Sequence, residues 1–170
     1  MRAKGCSVLP SHVTRSGACA KIRLLHRLKT MPENTYKATV RYAGDELFIG
    51  TPPSGHAQAI DVKGDRASAI TPLEMLLVAV AGCTAADVAS IMEKKRQDIT
   101  YYNVEIEGWR AEDHPRKFTR FHVHHIVHGR SVSEKALADA IGLSETKYCS
   151  VAATVRPTAE ITTSYEIVEV

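Results

Sequence analysis

Several absences in this chain each close a class of function. Its 170 residues hold four cysteines and no Cys-x-x-Cys pair, and no His-Glu-x-x-His run occurs, so the familiar zinc spacings are missing. There is no Gly-rich phosphate loop, no Gly-x-Ser-x-Gly elbow and no flavin or nicotinamide fingerprint, so no cofactor is expected. No apolar run reaches the roughly 18 residues of a membrane span. The longest covers only residues 75–83, and no membrane partner is expected. Residues 1–30 contain no acid, no steady apolar period and no apolar core of the kind that marks a secretory signal.

What is present suits one globular domain. A length of 170 residues supports a core without staples, and 44% hydrophobic with 24% charged residues is ordinary soluble composition. The net charge of +3 is local. Arg2, Lys4, Arg15, Lys21, Arg23, Arg27 and Lys29 all fall in residues 1–30, leaving 15 basic against 19 acidic residues in the body. A mildly acidic body argues against a nucleic-acid surface. For residues 1–30, which include Cys6 and Cys19, three readings stand: an extension upstream of a true start at Met31, a disordered basic arm, or a transit peptide. The domain is taken as residues 31–170, in the cytoplasm, where thiols stay reduced.

Period-two alternation over residues 36–42 and 46–49, separated by Ala43-Gly44-Asp45, predicts a hairpin. A third strand is expected over residues 56–62. Thr71 and Glu74 make a capping box with Pro72 at the first helical position, and the apolar spacing that follows predicts a helix over 71–97. Residues 102–110 and 118–127 alternate as antiparallel strands. A second helix is expected over 133–147, residues 149–155 fit a short helix or a turn, and a last strand covers 159–168. The order implies an α+β domain. The long helix is apolar on more than one face, so a homodimer that covers it is expected.

Two cysteines stand out: Cys83, inside Thr71-Pro-Leu-Glu-Met-Leu-Leu-Val-Ala-Val-Ala-Gly-Cys83-Thr, and Cys149, inside Lys147-Tyr-Cys149-Ser-Val. Two thiols in ordered apolar settings are what a peroxide-reducing dithiol centre needs. A thiolate attacks the peroxide oxygen, and a second thiol traps the sulfenic acid as a disulfide. Equally, each is the kind of small apolar residue that cores commonly bury.

These two motifs, with Asp87-Val, Glu145-Thr-Lys-Tyr-Cys149 and Arg156, resemble the OsmC/Ohr family of thiol peroxidases over residues 36–170. The resemblance implies antiparallel sheets around a long central helix, an intertwined homodimer and sites at the subunit interface. It also implies a peroxidatic Cys83 resolved by Cys149, organic hydroperoxides as substrates, and re-reduction by a dithiol such as protein-bound lipoamide. One departure is visible: the glutamate that Ohr-type members carry ten residues before the helix cysteine is here Leu73. Glu74 falls on the opposite side of the helix from Cys83 at 100° per residue, where capping explains it. A non-catalytic binding protein, or a redox sensor using the same dithiol, is the competing reading.

For the cation near the thiolate, Arg156 is the leading candidate, ahead of Arg41 and Arg66. His56, beside a turn, is a candidate proton donor or thiolate partner. Asp87, one helical turn after Cys83, would raise a thiol pKa rather than lower it, and so is assigned a bond to a strand or a cation. His122, His124 and His128 share one strand face, which fits solvated histidines as well as metal ligands.

Overall fold

The computed structural model describes residues 34–170, and residues 37–170 form one compact unit. The readings of residues 1–30, with Cys6 and Cys19, lie outside the described residues. Strands β1 (Thr39–Gly44), β2 (Leu47–Thr51) and β3 (Gln58–Asp61) make a three-stranded antiparallel sheet. Gly44 opposes Leu47, so the tight turn is Asp45-Glu46. Both of its residues have positive φ, as a two-residue hairpin loop of this twist requires.

Helix α1 (Pro72–Lys94) begins as the sequence predicts. Thr71 N–H donates to Glu74 Oε2 at 2.7 Å, and Glu74 N–H donates to Thr71 Oγ1 at 3.3 Å, with Pro72 in the first turn. The helix stops short of the expected 97, because Arg96 takes a left-handed φ of 55° and turns the chain into β4 (Asp98–Arg110). Val80, Thr84, Val88 and Met92, spaced four apart, form its buried stripe. By length and a mean hydropathy of 1.9 over 18 residues, α1 could span a bilayer, a capacity that counting unbroken apolar runs had not registered. In this fold it packs on β4 and on the helices at Glu134–Leu143 and Ser150–Val155 as the core helix.

Strand β5 (Phe118–Arg130) pairs antiparallel with β4. It turns Phe121, Val123, His125 and Val127 toward the helices, where Val88, Met92, Val127, Leu137 and Ile141 meet. The expected second helix divides in two. Helix α2 (Glu134–Leu143) is capped by Ser133, whose hydroxyl accepts from Ala136 N–H at 3.3 Å. A π-turn then covers Ser144–Tyr148, with Cys149 N–H donating to Ser144 O at 2.9 Å. The ambiguous segment is a short helix, α3 (Ser150–Val155).

The expected antiparallel sheets hold at every pairing but that of β6 (Glu160–Glu169). It runs parallel to β5, Arg120 opposite Glu160 through Gly129 opposite Glu169. The physical reason is the connection. Residues 131–159 carry the chain back across α1 to the starting end of β5, and a crossover of that length delivers a parallel strand. The second sheet thus has the order β4-β5-β6 and carries α1 and α2 on one face.

Candidate functional site

The sulfurs meet where α1 passes the π-turn. Cys83 sits on α1 one residue before buried Thr84, half-buried itself. Cys149 follows the widened turn. The extra residue in that turn, relative to an α-helix, sets the direction of the Cys149 side chain, and such π irregularities recur at functional sites. Cys149 is 3% exposed and free, and its Sγ accepts from Ala152 N–H at 3.4 Å. Cys83 Sγ, Cys149 Sγ and a carboxylate oxygen of Asp87 all lie within 4.8 Å of one another.

The electrostatics of the trio act on Cys149. Burial pushes the Cys149 thiol up to about 11, the neighbouring Cys83 and Asp87 push the same way, and only the Ala152 N–H opposes them. Cys149 is therefore a neutral thiol at pH 7. Asp87 is held in place by Ser144, whose hydroxyl donates to Asp87 Oδ2 at 2.9 Å and lies 3.1 Å from the Thr84 hydroxyl, which is free to donate to it. Ser144 is fully buried, so this small polar network ties α1 to the π-turn from inside. Asp87 bonds this hydroxyl rather than the strand or cation that the sequence suggests.

Arg156 and Cys149 line the same crevice, with Glu145, Thr163, Thr84 and Val80. The Arg156 guanidinium donates to the Glu145 backbone carbonyl, while the Glu145 carboxylate accepts from Thr163 Oγ1 at 2.6 Å. Leu73 packs with Phe118, Phe121 and Ala159, an apolar setting for the position where Ohr-type members carry an acid.

His56 is not brought to the sulfurs of its own chain. It lines a separate cavity of about 430 Å³ with Val40, Ile60, Met75 and Val78. Arg66 is engaged elsewhere, by Asp61 at 2.8 Å through two nitrogens and by Asp45 at 2.7 Å. Its guanidinium, with Ser68, holds the Asp61 carboxyl well below the usual range. The histidine face of β5 is occupied by hydroxyls: His122 lies 2.9 Å from Thr162 Oγ1 and 2.8 Å from Ser164 Oγ, and His124 lies 2.7 Å from Ser164 Oγ. Among the described residues, these histidines form no ligand cluster of metal-binding spacing.

Beside Asp87 a cavity of about 380 Å³ opens between α1 and the π-turn, lined by Ser90, Ile91, Lys94, Leu143 and Tyr148. Sequence reasoning missed both this cavity and the part Asp87 plays. The available signal was the Cys83-x-x-x-Asp87 spacing, which stacks the two on one helix face.

The chain and its fold find matches among known proteins. A family model described as OsmC-like protein matches residues 64–164. This chain belongs to the OsmC-like family. Protein YhfA of Escherichia coli (strain K12) is 42% identical over 133 residues, covering 78% of this chain and 98% of that protein. The crystal structure of a hypothetical protein from Aquifex aeolicus VF5 is 29% identical with a TM-score of 0.72, covering 80% of this OsmC-like chain and 98% of the other. The organic hydroperoxide resistance protein OhrB of Bacillus subtilis shares the fold, with a TM-score of 0.55 at 14% identity over 78% of this chain and 98% of its own.

Proposed function

We propose that this OsmC-like protein reduces organic hydroperoxides through Cys83 and Cys149, in defence against oxidative stress. The observation that carries this reading is the approach of two free sulfurs, one half-buried and reachable, the other buried and neutral. The Cys83 thiolate attacks the distal peroxide oxygen, and the O–O bond breaks. The alkoxide leaves and takes up a proton to become the alcohol. The Cys83 sulfenic acid then condenses with the Cys149 thiol, forming the disulfide and releasing water. Arg156, on the crevice it shares with Cys149, supplies positive charge on that side of the dithiol. His56, in the other cavity, is given no step. A dithiol, protein-bound lipoamide by family resemblance, returns the pair to thiols in a reducing compartment such as the cytoplasm.

The working form in this reading is a homodimer. Val78 on α1 is 60% exposed, and Val40 and Tyr42 on β1 are exposed as well, flanking or close to the apolar cavity that Met75 and Ile60 line. A second chain laid over that surface would bury it.

Intact mass after one equivalent of cumene hydroperoxide tests the chemistry, in a Cys6→Ser/Cys19→Ser background so that only the two described thiols respond. The expected result is a loss of about 2 Da in that protein, a gain of about 16 Da when Cys149→Ser is added, and no change with Cys83→Ser. Three unchanged masses would remove the reading. The alternative, a non-catalytic protein that binds an apolar or thiol-reactive small molecule or a dithiol sensor, is favoured by two observations: Leu73 lies in an apolar cluster, and Arg156 bonds a backbone carbonyl rather than a carboxylate.

A further inference from the structure

Asp87 has no useful place in the peroxide chemistry, since a carboxylate beside a thiol opposes its ionisation. Yet it is not there by default. A buried serine spends its hydroxyl on holding Asp87 Oδ2, and Thr84 completes the support. Two sulfurs and a carboxylate, all within 4.8 Å of one another, form the only group among the described residues with metal-ligand spacing. We propose that Cys83, Cys149 and Asp87 of the reduced protein bind a thiophilic divalent cation of the Zn²⁺ class.

The donor set suits that ion. Two soft thiolates and one harder carboxylate suit a borderline ion, with Zn–S near 2.3 Å and Zn–O near 2.1 Å, which sets tetrahedral donor separations of roughly 3.5–3.8 Å. Closing from the observed spacing takes small side-chain rotations, because one α1 turn separates Cys83 from Asp87 and the π-turn delivers Cys149 to the same point. Ser144 acts as the outer-shell partner that orients a ligating carboxylate. Both sulfurs bind as thiolates, so the proton of the buried Cys149 thiol is released to solvent. The cation then neutralises two of the three ligand charges, and three protein donors leave the fourth tetrahedral position to water, with a cavity at hand on the Asp87 side. Three protein ligands and an open position distinguish this site from a closed structural one. Oxidation to the disulfide removes two of the three donors, so only the dithiol form binds.

The test is titration of the full-length Cys6→Ser/Cys19→Ser protein, reduced and freed of reductant, with Cd²⁺ as a spectroscopic probe and Zn²⁺ as competitor. The expected result is one Cd²⁺ per chain with thiolate-to-metal charge-transfer absorption, displaced by Zn²⁺. Adding Cys149→Ser abolishes the absorption, and adding Asp87→Asn weakens binding tenfold or more, by analogy with the roughly 10–100-fold cost of losing metal-site partners. Ser144→Ala, which leaves all three ligands in place, gives a smaller loss and serves if Asp87→Asn does not fold. The inference is overturned if Cd²⁺ uptake is the same with and without Cys149, or if Asp87→Asn and Ser144→Ala both bind as tightly as the parent. Peroxide treatment of the same preparation in EDTA separates the two readings. A loss of about 2 Da without metal uptake removes this inference and leaves the reductase reading standing.

Discussion

At the scale of single residues, burial acts differently on two groups that share the core. Cys149 is kept protonated by its surroundings, with burial as the largest cause. His125 is kept unprotonated. It is 0% exposed on the inner face of β5, its Nδ1 lies 2.6 Å from the Tyr102 hydroxyl, and burial, aided by the charge of His124, lowers its pKa from 6.5 to about 4. The protein holds no bond to its Nε2, so an imidazolium there would leave a charged donor without a protein acceptor. Because the folded pKa is depressed, the unfolded chain binds the extra proton first. Stability is fully present above about pH 6.5 and is lost as pH falls toward about 4, by up to about 3 kcal/mol. Calorimetric melting across that window should show the loss, and the double substitution His125→Phe/Tyr102→Phe should flatten it. An unchanged slope in the double variant would assign the acid sensitivity to other groups.

At the scale of elements, the long β4–β5 pair sets the platform beneath α1 and α2. Its end is closed at Gly129, opposite Ile99, where a Cβ would collide with the Asp98 carbonyl and the Val132 side chain. The requirement here is space rather than an unusual φ. Gly129→Ala should therefore cost about 1–3 kcal/mol in urea unfolding, the range for forcing volume into a packed site. Sequence periodicity identified both strands, because alternation is a local consequence of which face each residue shows. It also pointed to the start of α1, since Thr71 and Glu74 satisfy backbone donors within one turn. Helix ends were less legible. Arg96 leaves α1 through a left-handed conformation that no glycine announces, and the widening at Ser144–Tyr148 follows from contacts with Thr84 and Asp87 on another helix. The same periodicity placed His122 and His124 on one face. The hydroxyls that occupy them belong to Thr162 and Ser164 on β6, forty residues on in the chain.

At the scale of the whole molecule, α1 is apolar beyond what one chain covers. Only 28% of its most hydrophobic window is buried, and Val78 faces outward near the apolar cavity edged by β1 and β2. Light scattering should accordingly give twice the 18.6 kDa chain mass. Val78→Arg should shift the protein to monomer without unfolding it, because the side chain is exposed within the chain and a charge costs much only where a partner would bury it. A wild-type monomer at micromolar concentration would contradict this expectation.

The sequence by itself determined the kinds of element, most of their faces, the capped start of the long helix and the two cysteine motifs that carry the family likeness. These are short-range properties, set by the spacing of apolar residues and by backbone groups a turn apart. Only the tertiary structure decided that β6 runs parallel to β5, that the two sulfurs and Asp87 converge, that Ser144 fixes the carboxylate, and that His56 stands apart from them. Each of these depends on where a crossover of nearly thirty residues lands against α1, and that is settled by packing across the whole domain rather than by any local pattern.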